Sequence, residues 1–159
     1  MNGPRWLRLG AKALHEIASI SFGGGLAACL VINLAANRAS PAEFTAARHA
    51  FAAIAQYLLI PSMAIVVISG LVALVATQAY KDAGWAWVKA LLGLSVFEAT
   101  LVIVGSSSKQ ADVIAAAADP AVLDALLRSE RNTLWLLIAL SVANVALAVW
   151  RPRLTVKVR

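Results

Sequence analysis

Charged side chains are scarce in this sequence. Asp, Glu, Lys and Arg together make up 14% of the 159 residues, whereas hydrophobic residues make up 61%, and the mean hydropathy is +0.79. Soluble domains carry about 25% charged residues. This composition excludes an ordinary soluble domain and indicates an integral membrane protein whose main surroundings are lipid.

Residues that build common catalytic and metal sites are also scarce. The chain has one cysteine, Cys29, and two histidines, His15 and His49. A lone cysteine allows no intrachain disulfide and no zinc or haem-attachment motif that needs a cysteine pair. The sequence also lacks a phosphate-binding loop and a serine hydrolase triad. Soluble hydrolases and nucleotide-dependent enzymes are therefore disfavoured.

The sequence does contain four long apolar segments. A hydrocarbon core of about 30 Å requires about 20 apolar residues in a helix. The segments lie at about residues 13–36, 51–77, 85–105 and 133–150. The first is longer than the apolar part of a signal peptide, about 7 to 15 residues, so we interpret it as a retained span. The sequence predicts a single all-α domain over residues 1–159, a four-helix transmembrane bundle.

The positions of the basic residues predict the topology. They are concentrated near both ends of the chain and in the loop around Lys81, whereas acidic and basic residues balance in the other two loops. The positive-inside rule then places both termini in the cytoplasm of a bacterial inner membrane. The basic balance also suits anionic lipid headgroups, so no nucleic-acid partner is expected.

Two proline-containing motifs predict helix starts on the outer side. Ser40, Pro41 and Glu43 form a capping-box pattern, so the second span is expected to begin early. Asp119 followed by Pro120 predicts another start. The apolar face that follows predicts a short amphipathic helix, which either lies on the outer interface or extends the fourth span, and it consists of Val122, Leu123, Leu126 and Leu127. Within the second span, Pro61 is expected to kink the helix.

Small residues cluster in the first span. Gly23, Gly24 and Gly25 precede Ala27 and Ala28 at the spacing that lets another helix approach closely. Helix packing is the simpler interpretation, and room for a flat cofactor is the alternative. We expect this face to contact another membrane protein or a second copy of the chain.

Ionisable residues within spans are functional candidates because lipid solvates them poorly. His15 and Glu16 in the first span and Lys89 in the third share an inner-leaflet depth. One interpretation is a Glu16–Lys89 ion pair with a hydrogen-bonded His15. Another is a haem site with His15 as the iron ligand and Lys89 as the opposite ligand or propionate partner. A proton or metal path is the third. His49 lies too far from His15 to ligate the same haem.

Glu98 is the remaining ionisable residue within a predicted span. A carboxylate facing lipid is unfavourable, so we expect Glu98 to face another helix and to bond to Gln56 or Tyr57. The simpler interpretation is a buried hydrogen-bond donor, and a proton-relay or quinone contact is the alternative.

Three segments resemble the HemJ and CopD-like group of small bacterial membrane proteins. They are ALHEIASISFGGGL in the first span, IPSMAIVVISGLVAL in the second and GWAWVKALLGL at the start of the third. The resemblance implies a helical bundle and, for the HemJ branch, haem b binding and protoporphyrinogen oxidation. By position it points to His15 and Lys89. Phe97, Glu98 and Ala99 stand where HemJ proteins carry a later histidine, which indicates a relative within the group rather than a true HemJ.

Two functional hypotheses follow. The first is a haem b protein of the inner leaflet that works in electron transfer or porphyrin oxidation. The second is a non-catalytic accessory subunit of a larger membrane complex, which packs through the face carrying Gly23 and Ala28.

Overall fold

The computed structural model describes residues 5–36, 39–76, 83–101 and 107–150, and nearly all of them are helical. The helices are α1 (Arg5–Ala35), α2 (Pro41–Ile54), α3 (Ile60–Ala76), α4 (Gly84–Ala99), α5 (Ser107–Ala115) and α6 (Pro120–Trp150). A π-helical turn, Ala55–Leu59, joins α2 to α3, and a 3-10 turn, Ala116–Ala118, follows α5. The predicted all-helical class is confirmed for these residues.

Three helical segments of the described chain are long and apolar enough to cross a membrane: Leu9–Ala35, Pro41–Val75 and Pro120–Trp150. Helix α4 has 16 residues, fewer than a span of about 20 needs. The last four residues of the predicted third span, 102–105, lie outside the described part of the chain. The structure therefore describes an all-helical chain with three candidate spans.

The long helices pack side by side around a common core. Helix α1 contacts α3 and α6, and α4 contacts the same two helices. The buried cluster between them consists of Phe22, Leu26, Cys29, Leu30, Phe51, Ala55, Leu59, Met63, Val96, Leu134 and Leu137. A smaller cluster beside α5 consists of Phe44, Val113, Leu123 and Leu127. Below, the end where α1 stops and α2 starts is called the Arg48 end, and the opposite end is called the His15 end.

Both predicted helix starts are present. The Ser40 hydroxyl accepts the Glu43 N–H at 3.4 Å, and Pro41 is the first residue of α2. The Asp119 carboxylate accepts the Ala121 N–H at 2.9 Å at the start of α6. The predicted amphipathic segment is the first part of α6, which continues without interruption to Trp150. Of the two placements left open, extension of the last span is the correct one.

Pro61 follows a local change in helix type. The turn Ala55–Leu59 is π-helical, and the Ile60 N–H bonds to the Ala55 carbonyl, five residues back. A proline ring has no N–H to donate and crowds the carbonyl four residues earlier. A wider π turn just before the ring removes that crowding, and such turns occur as single insertions in α-helices.

The three consecutive glycines have different surroundings. A Cβ added to Gly25 would lie 2.6 Å from Leu59 Cδ2, so α1 approaches the π turn closely at this residue. Gly23 and Gly24 are exposed, and an added Cβ on either would have nothing within 4 Å. Of these three glycines, only Gly25 packs closely against another of the described helices.

Candidate functional site

His15 forms a side-chain hydrogen bond that links two candidate spans. Its Nδ1 lies 2.7 Å from the hydroxyl of Ser69, which is 54 residues further along the chain, on α3. The two residues meet because α1 and α3 pack together along their lengths. His15 is partly buried.

The bonding of Ser69 fixes the tautomer of His15. The Ser69 hydroxyl lies 2.5 Å from the Ile65 carbonyl, one helical turn earlier. Serine in membrane helices commonly donates to this carbonyl. Because a hydroxyl has one proton, Ser69 accepts from His15, and we assign the proton to Nδ1. The Nε2 lone pair is then available as a ligand or acceptor.

Two charged groups and one glycine lie around the imidazole. Glu16 and Lys89 are the charged residues whose fields act on His15. Glu16 is exposed and Lys89 is partly buried. A Cβ added to Gly70 would lie 3.9 Å from His15 Cε1, so α3 presents no side chain there. The His15 end thus combines an imidazole that bonds to Ser69, nearby charged residues of both signs and a glycine beside the ring.

Glu98 lies in a different environment from the one that the sequence predicts. Glu98 is exposed on α4, and both expected partners, Gln56 and Tyr57, are exposed as well, Tyr57 with 76% of its surface accessible. The expectation of a buried acid between α4 and the second span is wrong. The inward face of α4 at this level is formed instead by Val96 and Thr100, which are buried.

His49 is exposed at the Arg48 end, in α2. Its position agrees with the expectation that it cannot share a ligand with His15, because α2 and the first half of α1 lie at opposite ends of the bundle. In the described part of the chain, no three His, Cys, Asp or Glu side chains converge as a metal-ion site.

The Arg48 end contains a buried polar cluster that the sequence analysis missed. Arg48 is fully buried, and its guanidinium donates to both carboxylate oxygens of Glu130, at 3.0 Å and 2.5 Å. Its Nε donates to Gln110 Oε1 at 2.9 Å, and a second nitrogen donates to the same oxygen. The Phe51 ring lies 4.5 Å from the guanidinium carbon. Here Arg48 has charged, polar and aromatic partners at once.

Asn33 extends this cluster to α1. Its amide nitrogen donates to Glu130 Oε1 at 2.7 Å and to the Leu127 carbonyl at 3.2 Å. The cluster therefore joins α1, α2, α5 and α6 through one carboxylate. Its donors and acceptors satisfy one another except at Asn33 Oδ1, which is buried without a partner among the described residues.

The sequence does carry a signal for this cluster. Arg48 occurs at helical spacing within a row of buried residues, Phe44, Phe51 and Ala55. Glu130 occurs within a row at the same spacing, Leu123, Leu127, Leu134 and Leu137. A single charge of each sign within two apolar faces predicts a buried ion pair, since an isolated buried charge is strongly unfavourable.

A second buried oxygen without a partner lies toward the His15 end. The Asn144 Oδ1 atom is buried between α6 and α4 and has no partner among the described residues. The Asn144 amide nitrogen lies 3.6 Å from where a Cβ on Gly93 would be. Gly93 therefore provides the room for this amide in the α4–α6 interface.

Comparison of the chain with family models, with curated proteins and with solved structures finds no match. The functional proposal consequently rests on the residues and their geometry.

Proposed function

We propose that this chain is a haem b protein of the bacterial inner membrane, working in electron transfer or porphyrin oxidation. The observation that carries the proposal is the hydrogen bond from His15 Nδ1 to Ser69, at 2.7 Å. Histidines that ligate metals almost always donate their other ring N–H to a protein acceptor, which fixes the tautomer and the ring orientation. His15 has this arrangement.

The residues near His15 suit a porphyrin. His15 Nε2 would bind the haem iron, and Ser69 would hold the imidazole ring in place. Lys89, whose charge acts on His15, would balance a propionate. Gly70 has no side chain to press on the imidazole, since a Cβ added there would lie 3.9 Å from His15 Cε1, an ordinary contact distance. When bound, haem b supplies a one-electron redox centre whose potential depends on its axial ligand and surroundings.

The proposal includes four spans. Residues 85–105 form the third span, with α4 as its described part, and the short outer helix α5 covers the Arg48 end. Both termini then lie in the cytoplasm, because the basic residues cluster on that side. His15 and Lys89 accordingly lie in the inner leaflet.

Haem content measured on the two histidine variants tests the proposal. The detergent-purified protein is expected to show a Soret band and a pyridine haemochrome spectrum. His15→Ala is expected to lose at least about 90% of the haem, since a ligand is removed. His49→Ala is the matched control because His49 is exposed at the other end. Colourless wild-type protein, or full haem content in His15→Ala, would overturn the proposal.

A second candidate function is that of a non-catalytic subunit that packs against a different membrane protein. It is favoured by the exposed α1 face that carries Gly23, Gly24 and Ala27, because small residues let helices approach closely. Under this reading, Gly24→Leu separates the chain from its complex and leaves the chain folded. Native mass measurement of gently solubilised membranes tests this hypothesis. Finding this chain without any other protein would contradict the role as a subunit.

A further inference from the structure

The exposed carboxyl of Glu98 lies on a mostly apolar surface of α4, where Ser95 is the other exposed polar residue. Glu98 is 14 residues after Gly84, which places it about 21 Å along the helix axis. On the same side, Leu91 and Leu94 of α4 are 64% and 48% exposed, and Leu101, in the π-helical residues that follow α4, is 40% exposed. These four residues, Leu91, Leu94, Glu98 and Leu101, are called the α4 seam below.

A carboxyl group on this face has unmet bonding requirements in a membrane. Lipid tails offer no donor and no acceptor, so an ionised side chain there is strongly unfavourable and a neutral one still lacks partners. Among the residues that the structure describes, none covers Glu98, which is exposed. A partner helix that covers the seam removes the group from lipid and can bond to it.

The spacing of the residues in the seam suits packing against another membrane helix. Its residues follow one another at intervals of three, four and three, which is the repeat of left-handed helix pairs in soluble and membrane proteins. One polar residue in such an apolar seam sets the register of the pair. The seam therefore has both a packing surface and a register-setting residue.

The α4 seam of a second copy of this chain can cover the seam, and its Glu98 can bond to Glu98. All copies insert in the same orientation, so a two-fold axis along the membrane normal brings the same residue of each copy to the same depth. A carboxylic acid has one donor and can accept at its other oxygen, so two of them satisfy each other. We propose that the protein is a homodimer formed through the α4 seam, with Glu98 bonded to Glu98 of the second copy. The inference rests on α4 lying in the membrane, as in the proposed function.

Cysteine crosslinking in native membranes tests this interface. The background is Cys29→Ala, which removes the only thiol. A disulfide needs Cα atoms about 4.4 to 6.8 Å apart, so only residues at the centre of the interface can form one. Leu94→Cys and Leu101→Cys are expected to give a disulfide-linked dimer under mild oxidation. Ile20→Cys, on the exposed α1 face, and Ile68→Cys, on α3, are the controls and are expected to stay monomeric.

The role of Glu98 is tested separately by the dissociation constant of the dimer in detergent. Glu98→Ala is expected to raise it about 3- to 30-fold, the range that interhelical hydrogen bonds in membranes support. Glu98→Gln keeps a donor and an acceptor and is expected to retain most of the affinity. The unfolding transition followed by tryptophan fluorescence is expected to be unchanged in both, which shows that the variants fold and keeps this test independent of haem binding.

Three results would overturn the proposal: monomeric Leu94→Cys and Leu101→Cys proteins, equal crosslinking of Ile20→Cys, or crosslinking of the seam to a different protein. Labelling of Glu98→Cys with a membrane-impermeant maleimide separates this failure from a wrong topology. Rapid labelling would show that α4 lies outside the membrane. Slow labelling with no dimer would contradict the seam alone.

Discussion

Arg48 and Glu130 form a two-pronged ion pair inside the bundle, although 82 residues separate them in the sequence. The Arg48 side chain has no accessible surface and that of Glu130 has 11%. By sequence, both residues lie in the predicted loops on the outer side, where charged residues are expected to face water. In the structure both lie in helices and point into the core at the Arg48 end. The pair joins α2 to α6, and through Asn33 and Gln110 it also holds α1 and α5.

Glu130→Gln is expected to destabilise the protein by about 3 to 5 kcal/mol, because it leaves the buried Arg48 charge without its counter-ion. The measurement is unfolding of the detergent-solubilised protein, followed by tryptophan fluorescence. Arg128→Gln is the control, since Arg128 lies two residues away on the exposed face of α6 and is expected to change stability by less than about 0.5 kcal/mol. Equal stability of the two variants would contradict a structural role for the pair.

The double variant Arg48→Met, Glu130→Leu is expected to be more stable than either single variant. Replacing both members of a buried ion pair with apolar residues of similar volume leaves no unpaired charge. The same unfolding measurement provides the double-mutant cycle with Arg48→Met and Glu130→Leu as its single steps. Additive losses would mean that the two side chains do not act as a pair.

Gly25→Ala is expected to destabilise the protein by about 1 to 3 kcal/mol. The added methyl group would lie 2.6 Å from Leu59 Cδ2 and 3.3 Å from Leu58 Cδ2. Leu59 is fully buried, so its side chain can move only by displacing its neighbours in the core. Gly23→Ala, where the added group meets nothing within 4 Å, is expected to be neutral or slightly stabilising because alanine favours the helix. Thermal unfolding of both variants distinguishes these outcomes.

Ser69→Ala is expected to weaken haem binding about 10-fold, because it removes the acceptor that orients His15. Haem titration of the apoprotein, read at the Soret band, gives the affinity. Ser141→Ala is the matched control, since the Ser141 hydroxyl donates only to the Leu137 carbonyl one turn earlier. If the two serine variants bind haem equally, Ser69 does not act through His15.

The helix starts and the overall helical class could be predicted because they depend on local sequence. Ser40 and Asp119 bond to backbone groups within three residues, so the pattern of residue types is sufficient to locate them. The length and apolar character of the long helices are likewise local properties. Helix α5 was not predicted, since its nine residues have almost no net apolar character.

The buried polar contacts depended on which helices meet. The apolar rows around Arg48 and Glu130 indicate that each charge is buried, but spacing along the chain does not show which helices meet. The Arg48–Glu130 pair and the His15–Ser69 bond both join different helices, so the partners could not be assigned. For Glu98 the sequence predicted a contact within the chain that the structure does not show. The cost of a charge in lipid predicted burial within the chain, but the same physical requirement can be met by a second chain, and the sequence of one copy does not distinguish the two.

The absorption spectrum of a His15→Gly variant, with and without added imidazole, tests the central proposal most directly. A glycine at this position leaves space in which free imidazole can occupy the place of the side chain. We expect wild-type protein reconstituted with haem to show a Soret band and a sharp reduced α band, His15→Gly to lose both, and imidazole to restore them. A wild-type protein that binds no haem, or a His15→Gly spectrum identical to the wild type without imidazole, would contradict the assignment of His15 as the haem ligand.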